Sequence, residues 1–466
     1  MSEQHRAHGI DDLRGAVRGR VILPGDADYD GARMPWNVAV DQRPAAVVEV
    51  ADAGDVVAAV RFARARGLRI TAQPSGHGAT HDLSGTILVR PGALDTIAVD
   101  AERRTVRAGA GVRWGELLAR TDEAGLAALC GSSPEVSVVG YTLGGGLSPL
   151  GRSYGQAANS VRAVELVNAR GELVTVDAET DPELFWAIRG GGGSFGIVTA
   201  IELALFPVAE IFGGQIVWPV EHAPALLQAF RRLTDAAPEE LSATFSLTQV
   251  PPLPAVPEPL RGRHIASIGI AYEGDEAAGR ELVRPLVELA PPLLHTLATY
   301  PIRDLGLLAM DPVDPMPSFM RSEYVSDLDD ETIAALLAQV GEGAGSPLTT
   351  TQIRHLGGAL ARSADGQGVA GHIQALYLLY AIGVPATPEI GAAIPGALEA
   401  LFAAVATSGT GRRPLNFTEG GTDLRSVFTE EDYARLGRIK AQRDPRGVID
   451  ANHRIAPDSR ALAEAS

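Results

Sequence analysis

The chain has 466 residues, too many for one ordinary hydrophobic core, so two domains or three lobes are expected. With 57 acidic against 40 basic residues the formal net charge is −17, which repels phosphate backbones and argues against nucleic acid as a partner. A lone cysteine, Cys130, excludes an internal disulfide and a multi-cysteine metal cluster. The opening MSEQHRAHGIDDLRG has no apolar h-region and no later run reaches membrane length, so a soluble, cytoplasmic protein with no membrane partner is expected.

In chain order, AAVVEV (45–50) reads as a strand. DAGDVVAAVRFARARG (52–67) reads as a helix, with Asp52 or Asp55 near its start and Gly67 at its end. Residues 68–73 return to strand and run out into TAQPSGHGATHDLSG (71–85), where His77 sits between two glycines. Residues 86–129 alternate strand, strand, helix. From 139 to 207 glycine loops separate β-rich segments such as RAVELVNARGELVTV and FGIVTAIELALFPV. After Pro207 the texture changes. Strands (ELSATFSLTQV, HIASIGIAYEG, HIQALYLLYAIGV) alternate with amphipathic helices (HAPALLQAFRRLTDAA, DEAAGRELVRPLVELA), which predicts an antiparallel sheet covered by helices. A proline-rich loop, 251–262, interrupts it, and the tail from 411 differs again.

Several short motifs fail on context. His77, His81 and Asp82 would share a helix face for a metal, but glycine and Ser/Thr surround them, so no metal is expected. DADYDG (26–31) mimics half a calcium loop, yet Asn37 stands where the final glutamate belongs, so a solvated acidic turn is the reading. GGSFG (192–196) resembles a nucleophile elbow at Ser194, but a β-branched run follows where a helix is required. LGGGLSPLG and RGGGGSFG likewise open no convincing helix, as a dinucleotide fingerprint must. Three glycine runs, at 74–78, 144–146 and 190–193, can still cradle one anion through backbone N–H groups, which points to a shared diphosphate cofactor.

Together these segments resemble the berberine-bridge-enzyme-like branch of the vanillyl-alcohol-oxidase-type flavoproteins, over nearly the whole chain. QPSGHGA is similar to the family's first flavin loop and supplies Pro74, Ser75, Gly76, His77, Gly78 and Ala79. GSSPEVSVVGYTLGGGLSPLGRSYG is similar to its central segment and supplies Ser132, Ser133, Val136, Val138, Gly140, Tyr141, Gly144 and Gly145, with Asn159 shortly after. ELFWAIRGGGGSFGIVT, the most specific match, contributes Gly196 and Val198. LNFTEGG and YARLGRIKAQRDPRGVIDANHRIAP resemble the segment that returns to the flavin domain and bring Asn452.

The resemblance implies an α+β, two-domain flavoprotein. Its discontinuous PCMH-type FAD-binding domain spans 1–207 with a returning segment at 405–466, and an α+β substrate domain with an antiparallel sheet spans 208–404. It implies FAD joined through the His77 imidazole to the 8α-methyl. Ser133 stands where relatives often carry a second, cysteine tether, so monocovalent flavin follows, and Cys130 reads as a small buried hydrophobe. Gln73 and Asn159 replace an Arg and an Asp common in relatives. Val136 falls beside the flavin edge that meets dioxygen, where valine leaves an apolar pocket.

The catalytic residues are harder to place. Pro414 and Phe417 replace two tyrosines, while Asn416 survives. In GHIQALYLLY, His372 survives and Ile373 replaces an Arg. Tyr377, His372 and Asn416 are the catalytic candidates. Alternation sets Tyr377 and Tyr380 on opposite faces, so at most one meets the flavin. The implied reaction oxidises a small organic substrate, a secondary metabolite, by hydride transfer to flavin N5 with dioxygen as acceptor. The alternatives are a dehydrogenase with another acceptor and a flavin-binding protein without turnover.

Overall fold

The computed structural model describes residues 9–80, 83–254 and 256–464, so His81 and Asp82 lie outside the described residues. Three sheets organise the chain. The first has strands β1 (Arg20–Ile22), β2 (Ala46–Glu49), β3 (Arg69–Ala72) and β4 (Thr86–Arg90) in the order β1-β2-β4-β3. β4 is parallel to both neighbours, so β2 needs a crossover to reach β3. The helix Ala53–Arg66 supplies it and buries Val56, Ala59, Val60 and Ala63. Asp52 caps that helix by accepting the Asp55 N–H, and Gly67, at φ 65°, ends it. Asp55 also pins the chain on either side of β1 and β2, because its carboxylate accepts the N–H groups of Arg18, Gly19 and Ala51 at 2.7–2.8 Å.

The second sheet comprises β5 (Ile97–Asp100), β6 (Thr105–Gly109), β7 (Val161–Val167), β8 (Leu173–Val176) and β9 (Ile197–Ala204), ordered β5-β6-β9-β7-β8. Ser194 therefore precedes a strand, as its β-branched sequel requires. The tail rejoins this half of the molecule. Ile449 bridges to Ile70 of β3, and Lys440 Nζ, buried in the helix Glu430–Arg443, donates to Ser194 O, Ile449 O and Asp444.

The third sheet has β10 (Glu210–Pro219), β11 (Leu241–Gln249), β12 (His264–Tyr272), β13 (Leu294–His295), β14 (Ala298–Pro301), β15 (Phe319–Val325), β16 (Thr350–His355) and β17 (Tyr377–Gly383). Its main path, β13-β10-β12-β11-β16-β17-β15, is antiparallel throughout. Helices Ala223–Asp235, Glu276–Leu289, Asp330–Val340 and Pro388–Ala404 cover one face. Their Leu226, Phe230, Leu286, Leu336 and Phe402 share a core with Ile216, Phe245, Ile268, Ile353 and Leu379 from the strands.

Alternation then fixes the opposite face, which carries Gln215, Thr244, Ser246, Ser267, Gln352, Arg354 and Tyr380. Buried Arg152 ties this sheet to the glycine-rich half: Nε donates to Leu241 O at 2.7 Å, Nη2 to Pro238 O at 3.1 Å, and Nη1 to Leu356 O. Among the described residues no helix is long and apolar enough to cross a membrane.

Candidate active site

β3 ends at Ala72 and the chain turns through Pro74–Gly78. Gly76 has φ 85°, and a Cβ there would press to 2.8 Å on Pro35. The turn lays the His77 ring on Trp36, with centroids 4.3 Å apart and planes at 16°. His77 Nδ1 shares a 3.0 Å hydrogen bond with Ser75 Oγ, while Nε2 is buried without a partner. Burial, assisted by the Arg113 charge, pulls this imidazole down to about 4, so it is neutral at pH 7. Asn452 arrives beside the loop: Thr80 Oγ1 donates to its carbonyl, and its Nδ2 lies 3.5 Å from where a Gly78 Cβ would stand.

The central segment forms the helix Val138–Leu143, capped by Ser137 Oγ accepting the Gly140 N–H. Glycines make room for the Tyr141 ring, which a Cβ on Gly131 or Gly146 would meet at 2.9 or 2.6 Å. Tyr141 Oη and Ser133 Oγ are buried without partners. Gly144 leaves space for Asn416, whose Oδ1 a Cβ would overlap at 1.5 Å and whose Nδ2 donates to Tyr141 O at 2.9 Å. Gly145 has φ 110°. The Gly192 N–H donates to Leu143 O, joining the third glycine run to the second.

Some expected contacts are committed elsewhere. Ser132 donates its only hydroxyl proton to Asp311 Oδ2 at 2.5 Å, so it is not a free donor. Asn159 uses both side-chain atoms to hold the 368–371 loop: Nδ2 donates to Gly371 O and Oδ1 accepts the Gly368 N–H. Val138 and Val198 point into the core, and a Cβ on Gly196 would strike Leu166 at 2.6 Å. These three offer only backbone to a ligand. Val136 is partly buried against the same core, and its carbonyl accepts the Trp114 N–H. Cys130 is fully buried, and burial pushes its thiol up to about 12, which leaves it protonated and unreactive.

On the sheet, Tyr377 departs from expectation. It faces the helices, packs near Phe230, and shares a 2.7 Å hydrogen bond with Thr234. Tyr380, one step out of phase, is the tyrosine on the other face. Its ring meets Phe417 edge-on at 5.2 Å, and Arg354 lies over both rings. Burial raises the Tyr380 hydroxyl pKa, with Arg354 opposing. His372 does not lie on the strand: β17 begins at Tyr377, and His372 contacts Gln374 in the preceding loop at 3.2 Å.

Sequence reasoning passed over Arg354, Trp36, Asp311 and Glu419. The alternating TTQIRH of β16 was the available signal for Arg354. Glu419 accepts the Met320 N–H at 2.5 Å, and burial pushes it up to about 7. A carboxyl raised in the folded state stabilises at acid pH, and that contribution fades as pH rises from about 4.5 through 7. Between pH 5 and pH 8.5 the wild type should lose about 1–3 kcal/mol more stability than Glu419→Gln, discounted for partial exposure. Equal losses in denaturant titrations would refute this.

Residues 44–177 match the family described as "FAD binding domain". The chain is 28% identical to the (R)-6-hydroxynicotine oxidase of Paenarthrobacter nicotinovorans, covering 95% of this chain and 98% of that one. The solved BBE-like 1 of Physcomitrella patens superposes with a TM-score of 0.83 at 22% identity, over 98% of this chain and 100% of that chain. A chitooligosaccharide oxidase does so with a TM-score of 0.81 at 20% identity, over 96% and 99%. The chain is an FAD-dependent oxidoreductase of the berberine-bridge-enzyme-like fold.

The residues fit the cofactor of this oxidoreductase. Gln73 Nε2, His77 Nε2, Ser133 Oγ, Tyr141 Oη and Thr142 Oγ1 are all buried without partners along the glycine loops. Leaving such atoms unpaired costs about 1–3 kcal/mol each, and a flavin dinucleotide offers ring, ribityl and diphosphate partners for them. The first loop, the helix Val138–Leu143, the third glycine run and the tail would hold it. Beside Asn416, Phe417 meets Tyr380 of the third sheet.

Proposed function

We propose that this flavoprotein is an oxidase of a small organic molecule, a secondary metabolite, with FAD held covalently and solely through His77. The observation that carries the covalent assignment is the neutral, buried imidazole stacked on Trp36 with Nε2 unpartnered. With Nδ1–H donating to Ser75 Oγ, the Nε2 lone pair is free to bond carbon. Residues 1–207 and 405–466 form the FAD domain in this reading, and 208–404 the substrate domain. Similarity to a 6-hydroxynicotine oxidase along both chains supports a small-molecule substrate.

FAD held by these loops would supply the two-electron acceptor for a hydride from substrate carbon, and dioxygen would take up the two electrons with two protons as hydrogen peroxide. The chain's own residues do the rest. Tyr380, kept neutral by burial, donates a hydrogen bond to the substrate oxygen. Asn416 positions the helix end through Tyr141 O. The helices behind the sheet keep its polar face rigid.

Structures of this fold include both oxidases and a glucose dehydrogenase, so the fold alone does not select the acceptor. Val136 tests it. Stopped-flow reoxidation of photoreduced enzyme in aerated buffer should be fast in the wild type. Val136→Leu, which fills the apolar space, should slow it about tenfold or more, equivalent to about 1.4 kcal/mol in barrier. Overpacking costs about 1–3 kcal/mol in stability, so folding is checked beside rate. Slow wild-type reoxidation with rapid turnover on an artificial quinone would select the dehydrogenase.

A further inference from the structure

Arg354 differs from three other arginines that sink into this molecule. Arg90, Arg152 and Arg189 aim their guanidiniums at backbone carbonyls: Gln73 and Met34 for the first, Leu241 and Pro238 for the second, Phe185 and Gly366 for the third. Arg354 has one acceptor, Gln352 Oε1, at 3.2 Å from Nε and 2.9 Å from Nη2. Among the described residues it forms no ion pair with a carboxylate. It is half-buried on the polar sheet face, its Cζ 4.9 Å from the Phe417 centroid and 5.9 Å from that of Tyr380.

Two rings thus flank the guanidinium, and its Nη1 has no hydrogen-bond partner among the described residues. A guanidinium edge is a fork of parallel N–H donors that matches two oxygens or one delocalised oxyanion. Asp311 and Glu419 also lie within electrostatic reach of Tyr380, and neither forms an ion pair with Arg354 among the described residues. Burial raises the pKa of the Tyr141 and Tyr380 hydroxyls, and the Arg354 charge opposes that rise at both. A half-buried cation with no ion-pair partner favours an anion and opposes a protonated amine in the same cleft.

We propose that the substrate is a planar ring compound bound as an oxyanion, an ionised phenol or a carboxylate, with Arg354 as its counter-charge. This rests on the substrate lying under the third sheet, as in the function proposed above. Ion pairing with the Arg354 fork and a hydrogen bond from Tyr380 would set the ring edge-on to the sheet.

The test uses the holoenzyme and paired probes in calorimetric titrations: benzoate against benzamide, 4-nitrophenolate against nitrobenzene, and benzylamine as the cation. At least one anion should bind about tenfold or more tighter than its neutral partner, as charge-assisted hydrogen bonds exceed neutral ones, and benzylamine should not bind. The pair that shows the preference assigns carboxylate or phenol. Arg354→Gln should erase the preference while the neutral probe binds as before, and Arg354→Lys should keep part of it. Neutral probes binding as well as both anions, anion affinity unchanged in Arg354→Gln, or no anion bound by wild type would each overturn the assignment. Photoreduction and aerobic reoxidation of the same proteins report separately on the oxidase reading. A wild type that cycles normally but shows no anion preference loses only this inference.

Discussion

His77→Ala should leave the protein yellow when native and colourless once denatured, with all flavin in the supernatant. The wild type should keep its colour through acid precipitation, and one peptide containing His77 should carry the FAD mass. In the proposed linkage, bond formation would remove one hydrogen from the imidazole and one from the 8α-methyl, and dioxygen would carry both away as hydrogen peroxide. Trp36 and Ser75 orient the ring for it, and burial keeps the nitrogen unprotonated. The sign of that shift gives a second readout. Free histidine titrates near about 6.5, but a group pulled down to about 4 stays neutral throughout pH 5.5–8. Attachment of FAD to apoprotein should therefore run at a pH-independent rate over that window, and a fall with a midpoint near about 6.5 would contradict the buried geometry. Cys130→Ser should change nothing, since that thiol is buried and protonated.

The pattern of the sequence reached different depths in different places. The helix Ala53–Arg66 was fully legible because its caps and its periodic valines and alanines are local. The antiparallel third sheet was legible from alternating strands and amphipathic helices, and its helix Glu276–Leu289 tolerates the internal Pro285. Parity along β17 was legible as well: Tyr377 and Tyr380 had to face opposite ways. Which face met the helices depended on Thr234 and Phe230, more than 140 residues earlier, and no local signal carries that.

The same holds for side chains whose partners are distant in sequence. Trp36 reaches His77 across a different loop, and Ser132 meets Asp311 across 179 residues. The resemblance made Asn159 a cofactor ligand, standing where relatives often carry Asp, yet the 368–371 loop takes its amide. His372 looked like part of a strand because IQALYLLY alternates, but backbone pairing starts only at Tyr377. Glycine turns were legible in short motifs, since glycine conformation is a local property. The substrate face was readable only once the sheet had chosen its layer.

That choice of layer gives the sharpest contrast between two neighbouring tyrosines. Tyr380→Phe removes a hydroxyl from the cleft face and leaves the Phe417 and Arg354 contacts in place. Loss of one preorganised donor to a developing oxyanion typically lowers rate by about 10²–10³-fold, so anaerobic flavin reduction by a true substrate should slow by that order with stability little changed. Tyr377→Phe should do the reverse. It deletes a bond to Thr234 Oγ1, whose own proton already goes to Arg231 O at 2.9 Å, so about 1 kcal/mol of stability is lost. Its flavin reduction rate should stay within about twofold, because an effect on rate needs contact with what reacts. Stopped-flow reduction and denaturant midpoints on both proteins separate the two effects. A slow Tyr377→Phe beside a normal Tyr380→Phe would mean that the helix-facing hydroxyl governs the chemistry, and the polar face of the sheet would lose its claim to the substrate.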